Sequence, residues 1–229
     1  MSITSLDQVE MRQVRLTCPV GAGQLESLRL GDLVYLDGVL FTGREGLYHR
    51  LIDEGQELPV PLREISNVNF HCSPAASVSD DGGYIVRSVS ATASFRFDKW
   101  MTEFLRRTGV KVIIGKGGMQ AKDYKELLVP NGALYLTTVG YGLGATYGRG
   151  VAGVRAVYWL QELGIAQAVW VLEVRNMGPF IVESDMEGNS LFELSNTEIN
   201  KSLERIYKDL PQPVLRRYGE EVDRDKEVI

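Results

Sequence analysis

Apolar positions recur along this chain with two alternating periods, and the switches between them outline its elements. MRQVRLT (11–17) and LVYLDGVLF (33–41) read as strands. Thr42 with Glu45 three residues later spells a capping box, so a helix is expected to start at Thr42, run over about 43–53 and close at Gly55. EGQELPVPLR (54–63) is a proline-bearing loop, 66–72 is extended, and SPAASVSDDGG reads as a turn-rich connector before a strand over 84–93. Trp100, Phe104 and Leu105 fall at helical spacing in 98–107, which stops at Gly109. A short strand (111–114), a helix over 120–128 stopped by Pro130 and a strand (133–139) lead into the glycine-dense loop GYGLGATYGRG. Strands are expected at 168–174, 180–184 and 191–194, the last two joined by the turn MEGN. An amphipathic helix follows over 196–209, with Ile199, Leu203, Ile206 and Leu210 on one side. This alternation indicates an α/β fold in one domain over 1–210, followed by a charged tail, 211–229, expected to be mobile or partner-bound.

Composition narrows the class. The 229 residues are 44% hydrophobic and 24% charged, enough for a substantial core, and the net charge of −5 disfavours a nucleic-acid surface. No apolar run approaches the roughly 20 residues that span a bilayer, and MSITSLDQVEM lacks a basic n-region, so no membrane segment or signal peptide is expected and a cytoplasmic location is. Cys18 and Cys72 stand apart, with only His49 and His71 for company, so no zinc or iron–sulfur ligand spacing exists. Metal chemistry would have to come from another polypeptide. IIGKGG (113–118) does not match the P-loop pattern. GRGVAG (148–153) fits GxGxxG, with Glu173 at the right distance, but a glycine-rich loop precedes it where a dinucleotide site needs a strand. His49 and His71 read as structural, Cys72 as a buried small apolar residue, and Asp80–Asp81 as a solvated turn.

Three sites share one design. Arg44 follows Thr42 and Gly43 in FTGREGLYHR, in a helical first turn where a cation is disfavoured by the backbone dipole. Thr92, Ser94 and Arg96 precede the helix at Asp98 in SATASFRFD, and Lys116 lies between glycines in IIGKGG. Each puts a cation at a strand end beside small residues, where ligands gather in α/β folds. Three such cations suit a ligand with two carboxylates. The plainer alternatives are an Arg44 paired to Glu45 or Glu10, and three unrelated surface cations.

In order and spacing these segments, from GDLVYLDGVLFTGREGLYHRL through SATASFRFDKW and IIGKGG to WVLEVRNMGPFIVESDMEGNSLF, resemble the β-type domain of class I iron–sulfur hydro-lyases, the class I fumarases and L-tartrate dehydratases. That family shows T-A-R-D, then G-P-T-T-S-G-R-M-D, then I-G-K-G, then an ending like F-P-x-I-V-x-I-D-x-x-G-N. The resemblance runs from about Gly31 to Phe192 and implies a three-layer swivelling β/β/α domain with a mixed sheet. It implies a β subunit acting with a cysteine-bearing α subunit that holds a [4Fe-4S] cluster, in a hetero-oligomer or a β–β dimer, with no metal ligand in this chain. The reaction implied is reversible removal of water from a 2-hydroxy dicarboxylate, malate to fumarate or tartrate to oxaloacetate. Arg44, Arg96 and Lys116 would bind substrate carboxylates, Thr92 is the candidate base, and Thr42, Ser94 and Asp98 support them.

The chain departs from the pattern at several positions. Glu45 replaces the family Asp, Tyr48 a usual His, Ser90–Ala91 the Gly-Pro pair, Ala93 the second Thr and Phe97 the Met. Phe95 replaces a glycine beside Arg96, placing an aromatic ring at the substrate arginine. A non-catalytic or divergent small-anion-binding module of the same fold is the alternative these changes allow.

Overall fold

A computed structural model describes residues 11–208 apart from Tyr141; the tail 211–229 and Leu210 lie outside them. Seven strands form one mixed sheet: β1 (Gln13–Cys18), β2 (Leu33–Thr42), β3 (Val68–Phe70), β6 (Val112–Gly115), β7 (Leu134–Thr138), β9 (Val169–Ser184) and β8 (Val151–Tyr158), in that order. β1, β2, β3, β6 and β7 run parallel to one another, whereas β9 is antiparallel to β7, β8 and β2. Because β9 also pairs with β2, the ring β2–β3–β6–β7–β9 closes and leaves no free edge there. β4 (Cys72–Val78) and β5 (Tyr84–Ala91) form a separate antiparallel hairpin.

The strand pleat sorts the core into two. Val112, Ile114, Leu134 and Leu136 face one cluster together with Leu40, Phe70, Trp170 and Val89 of the hairpin. Ile113 and Tyr135, one residue out of phase, face a second cluster under the helices. That second cluster takes Leu47 and Tyr48 from α2 (Glu45–Tyr48), Trp100, Met101, Phe104 and Leu105 from α4 (Asp98–Thr108), and Tyr124 and Leu128 from the π-helical turn after α5 (Ala121–Asp123). α4 stops as expected, with Gly109 in the left-handed conformation. The remaining α-helices among the described residues are α1 (Ala22–Glu26), α3 (Leu62–Ile65), α6 (Gly144–Arg149), α7 (Leu160–Leu163) and α8 (Leu191–Tyr207). No helix among the described residues is long and apolar enough to cross a membrane.

Five sequence expectations need correction. Thr42 does not cap a helix: α2 begins at Glu45, with Arg44 as its N-cap residue and no side-chain cap. The Thr42 hydroxyl instead donates to the Ala168 carbonyl (3.2 Å), just before β9, and accepts from Trp170 N–H (3.0 Å) within it, two buried bonds that outweigh one cap bond. Residues 72–78 are strand β4 rather than connector, because pairing with β5 satisfies their backbone and the turn is confined to Ser79–Gly83. The glycine-dense loop contains α6, whose small residues permit close approach; an ideal Cβ at Gly148 would fall 2.3 Å from the Arg87 carbonyl oxygen. The strands expected at 168–174 and 180–184 are one, β9, which absorbs the turn-like residues between them in irregular register, with Asn176 at φ 48°. LFEL (191–194) opens α8, because Ser190 caps it by accepting from Glu193 N–H (3.1 Å), a signal the sequence already spells as S-L-F-E.

Candidate active site

Parallel pairing of β2, β3 and β6 sets their C-terminal ends along one edge of the sheet, so Thr42–Arg44, His71 and Lys116 emerge side by side. β5 brings the fourth segment. Thr92 N–H donates to the His71 carbonyl (2.7 Å), Lys116 N–H donates to the Thr92 carbonyl (3.2 Å), and Ala93 forms a parallel bridge with Lys116. Two expected substrate-site segments, 24 residues apart in sequence, are therefore stitched backbone to backbone.

Beneath them lies a polar group that sequence reasoning missed. Ser94, fully buried, bonds through Oγ to His71 Nδ1 (2.7 Å) and to the Tyr135 hydroxyl (2.8 Å). The His71 ring is enclosed by Tyr48 and Phe97, with centroids at 5.8 and 5.0 Å, and burial pushes its pKa down to about 3, so it is neutral near pH 7. Its Nε2 is buried without a hydrogen-bond partner. Gly115 is required beside this group, since an ideal Cβ there would lie 2.1 Å from Ser94 Oγ and 2.6 Å from the Tyr135 oxygen. Local spacing could not reveal it: Ser94 is 23 residues from His71 and 41 from Tyr135. Ser94 thus supports the turn from below, with its hydroxyl committed to the interior.

Arg44 leans across the same edge. Its Nη1 donates to Ser73 Oγ and to the Ala166 carbonyl (3.4 Å), while Nε is buried without a partner. Burial lowers the affinity of Arg44 for its proton and the positive charge of Arg96 lowers it further, against smaller opposing contributions from Cys72 and Glu45. Arg96 itself is exposed, its guanidinium 5.7 Å from the Phe97 ring centroid, and the Phe95 side chain beside it is 55% exposed.

Asp98 starts α4 and accepts from Gln120 Nε2 (3.3 Å), tying the loop after Lys116 to the 94–97 turn. Its Oδ1 is buried without a partner, and burial, then the nearby Asp123 carboxylate, push its pKa up to about 6. Tyr48 occupies the interior, donating from its hydroxyl to Asn69 Oδ1 (2.9 Å) under Gly43. Two hollows elsewhere, of about 550 and 330 Å³, are lined by residues such as Arg149 with Arg175 and Leu58 with Arg107. The cation-bearing edge is by contrast a rim, with Arg96 and Phe95 facing outward.

The cysteines do not suit an iron–sulfur cluster. Cys18 and Cys72 are buried, burial pushes the Cys18 thiol up to about 12 and Cys72 well above its usual value, and thiolate is the ligating form. Among the described residues no group of three His, Cys, Asp or Glu side chains could hold a metal ion.

The chain forms a closed mixed sheet with arginine, lysine and hydroxyl residues at one C-terminal edge. Its family is shown by comparison with known proteins: residues 2–195 match the Fumarase C-terminus family, and the chain belongs to it. It is 34% identical over 185 residues to a protein of Methanocaldococcus jannaschii provisionally named L(+)-tartrate dehydratase subunit beta, covering 80% of this chain and 92% of that one. The L(+)-tartrate dehydratase subunit beta of Escherichia coli K12 is 35% identical over 184 residues, covering 77% and 85%. A protein of Geobacillus stearothermophilus provisionally named class I fumarate hydratase is 30% identical over 205 residues, 90% of this chain but 38% of that longer protein.

Proposed function

We propose that this chain is the β subunit of a class I hydro-lyase that reversibly removes water from a small 2-hydroxy dicarboxylate, of the tartrate or malate type. The observation that carries the reading is the junction of the expected segments at one strand edge, with Lys116 N–H bonded to the Thr92 carbonyl and β2 delivering Arg44 beside them. In this reading Arg44 and Arg96 clamp carboxylates, Lys116 adds a compact charge from the glycine loop, and Thr42, Ser94 and Asp98 hold the segments in place. Loss of a proton beside a carboxylate builds negative charge on it, and preplaced cations stabilise that charge without reorganising.

Thr92, 6% exposed at this edge, is the candidate base. A hydroxyl is a poor base in water and needs an activating neighbour. Since Ser94 Oγ is engaged by His71 and Tyr135, the Lys116 side chain is the neighbour we assign to Thr92. The [4Fe-4S] cluster, the Lewis acid of this family's chemistry, belongs in this reading to cysteines of the α subunit. The hairpin β4–β5 packs into one core of the closed sheet and the helices into the other, which supports reading the chain as a three-layer β/β/α domain that swivels to close over that partner.

Arg96→Ala, measured in the assembled α/β enzyme, should lower kcat/KM by roughly 100-fold or more, the effect of removing a charge-assisted contact. Because Arg96 is exposed, the melting temperature should not move. Undiminished turnover by this variant would reject the clamp, and an assembled complex without hydro-lyase activity would favour a non-catalytic anion-binding module.

A further inference from the structure

GRGVAG (148–153), whose GxGxxG spacing holds no dinucleotide site, ends α6 and opens β8, so a helix precedes it and a strand follows. Its first two glycines are packing positions. An ideal Cβ at Gly148 would fall 2.3 Å from the Arg87 carbonyl oxygen, and one at Gly150 would fall 2.7 Å from Met177 Cβ. With both glycines pressed against β5 and β9, Arg149 between them is turned outward and exposed. Arg175 of β9 is brought alongside, because its N–H donates to the Gly150 carbonyl (2.8 Å). The two arginines line one hollow of about 550 Å³, where Tyr35 and Thr146 supply hydroxyls and Asn176 an amide.

This hollow has the chemistry of an anion site. Neither arginine forms an ion pair with another described residue; Arg149 donates to Thr146 Oγ1 (3.4 Å). Nearby arginines do find carboxylates: Arg155 of β8 bonds Glu173 of β9 (3.0 Å), and Arg15 of β1 bonds Asp37 of β2 (3.1 Å). Asp37 feels the charge of Arg175, but Arg15 and Asn176 N–H (2.8 Å) already occupy it. Asn176 itself stands at φ 48°, uncommon for a residue with a side chain, and its bond to Asp37 fixes it there. Strain of this kind gathers at ligand clamps. Paired guanidinium groups suit carboxylate and phosphate oxygens, and the volume falls within the roughly 300–1,000 Å³ of metabolite pockets. The hollow is not the rim. Tyr35 lies near the start of β2 and Thr42 at its end, about 23 Å of strand away.

We propose that the Arg149–Arg175 hollow is a second anion site, separate from Arg44, Arg96 and Lys116, which takes a small solute presenting a phosphate or carboxylate group to both guanidinium groups. Such an anion neutralises two like charges, and Tyr35 and Asn176 are placed to bond its remaining oxygens. By linking the α6–β8 junction to β9 it braces that ladder where the register shifts, between Val151 and Gly153. Binding therefore stabilises the fold, whether or not the rim is catalytic.

The test is calorimetry on the full chain at low ionic strength, with inorganic phosphate in one arm and malate in the other. An Arg96→Ala background keeps rim binding apart from the hollow. Added to it, Arg149→Gln and Arg175→Gln should each raise Kd about tenfold, and the pair roughly 30-fold or more. The tighter arm names the solute as phosphorylated or dicarboxylate, and either sustains the site. At about ten times its Kd the anion should also raise the melting temperature by roughly 3 °C. The double variant should lose that rise yet keep the parent's circular dichroism, because both side chains are exposed. In the parent, phosphate should shift the Nε–Hε resonances of Arg149 and Arg175. An unchanged Kd in the double variant overturns the proposal, and so does a titration that moves neither resonance. An intact chain that binds no anion until residues 1–10 and 211–229 are deleted would show that its own ends fill the hollow, which overturns the proposal too.

Discussion

Enclosed by Tyr48 and Phe97, the His71 ring protonates only near pH 3 in the folded chain, against about 6.5 in an unfolded one. Its folded pKa is depressed, so its contribution to stability is complete above pH 6.5 and fades as the pH falls towards 3. Between pH 6.5 and 5 the expected loss from this one residue is about 2 kcal/mol. Urea titrations of the parent and His71→Phe across that range should show the parent declining more steeply by about this amount; parallel pH profiles would refute the assignment. Residue identity alone made Arg44, Arg96, Lys116 and Thr92 legible as candidates, since cations beside glycine and hydroxyl residues carry their chemistry in their letters. His71, Ser94 and Tyr135 were not legible as one group, because a hydrogen bond across 23 or 41 residues has no local period. Thr42 illustrates the opposite error: its cap signature is genuine in the letters, but β9 offered the hydroxyl two buried partners.

At the scale of the element, α4 is the helix the pattern described most faithfully, with Trp100, Phe104 and Leu105 buried and Gly109 closing it. Its first residue, Asp98, has a folded pKa raised to about 6 by burial and by Asp123. A raised carboxyl contributes stability below the unfolded value near 4 and loses it as the pH rises through 6. Asp98→Asn should therefore stabilise the chain above pH 6, on the order of 1 kcal/mol after allowing for solvent screening, and change little at pH 4. Equal gains at both values, read by thermal melts, would contradict this account. Elsewhere the elements diverged from their letters for reasons of pairing. β4 is built from small and hydroxyl residues with little strand propensity, and β5 supplies the ladder that holds it straight. β9 runs through Arg175–Asn176–Met177 because β2, β7 and β8 all bond to it.

In the whole molecule, one closed sheet serves two cores, and neither core can lose its strands without exposing the other. Trp170 lies in the core on the hairpin side and Trp100 in the core under the helices. Variants keeping only Trp100 or only Trp170 as fluorophore should therefore unfold in urea at one midpoint, coincident with circular dichroism. Separate midpoints would show that the two layers unfold independently. Closure also buries both faces of the sheet, so the candidate cations Arg44 and Lys116 emerge at its C-terminal edge.

By itself the sequence determined the α/β class, most strand and helix cores and the helix stop at Gly109, and it marked Arg44, Arg96 and Lys116 as candidates, because these follow from local periods and side-chain chemistry. Only the tertiary structure decided that β9 closes the ring, that His71 and Tyr135 hold Ser94 beneath the Thr92–Lys116 bridge, and that the apolar side of α8 points outward. Those outcomes depend on strand pairing and burial between residues far apart in the chain, and on satisfying buried polar groups that no local window contains.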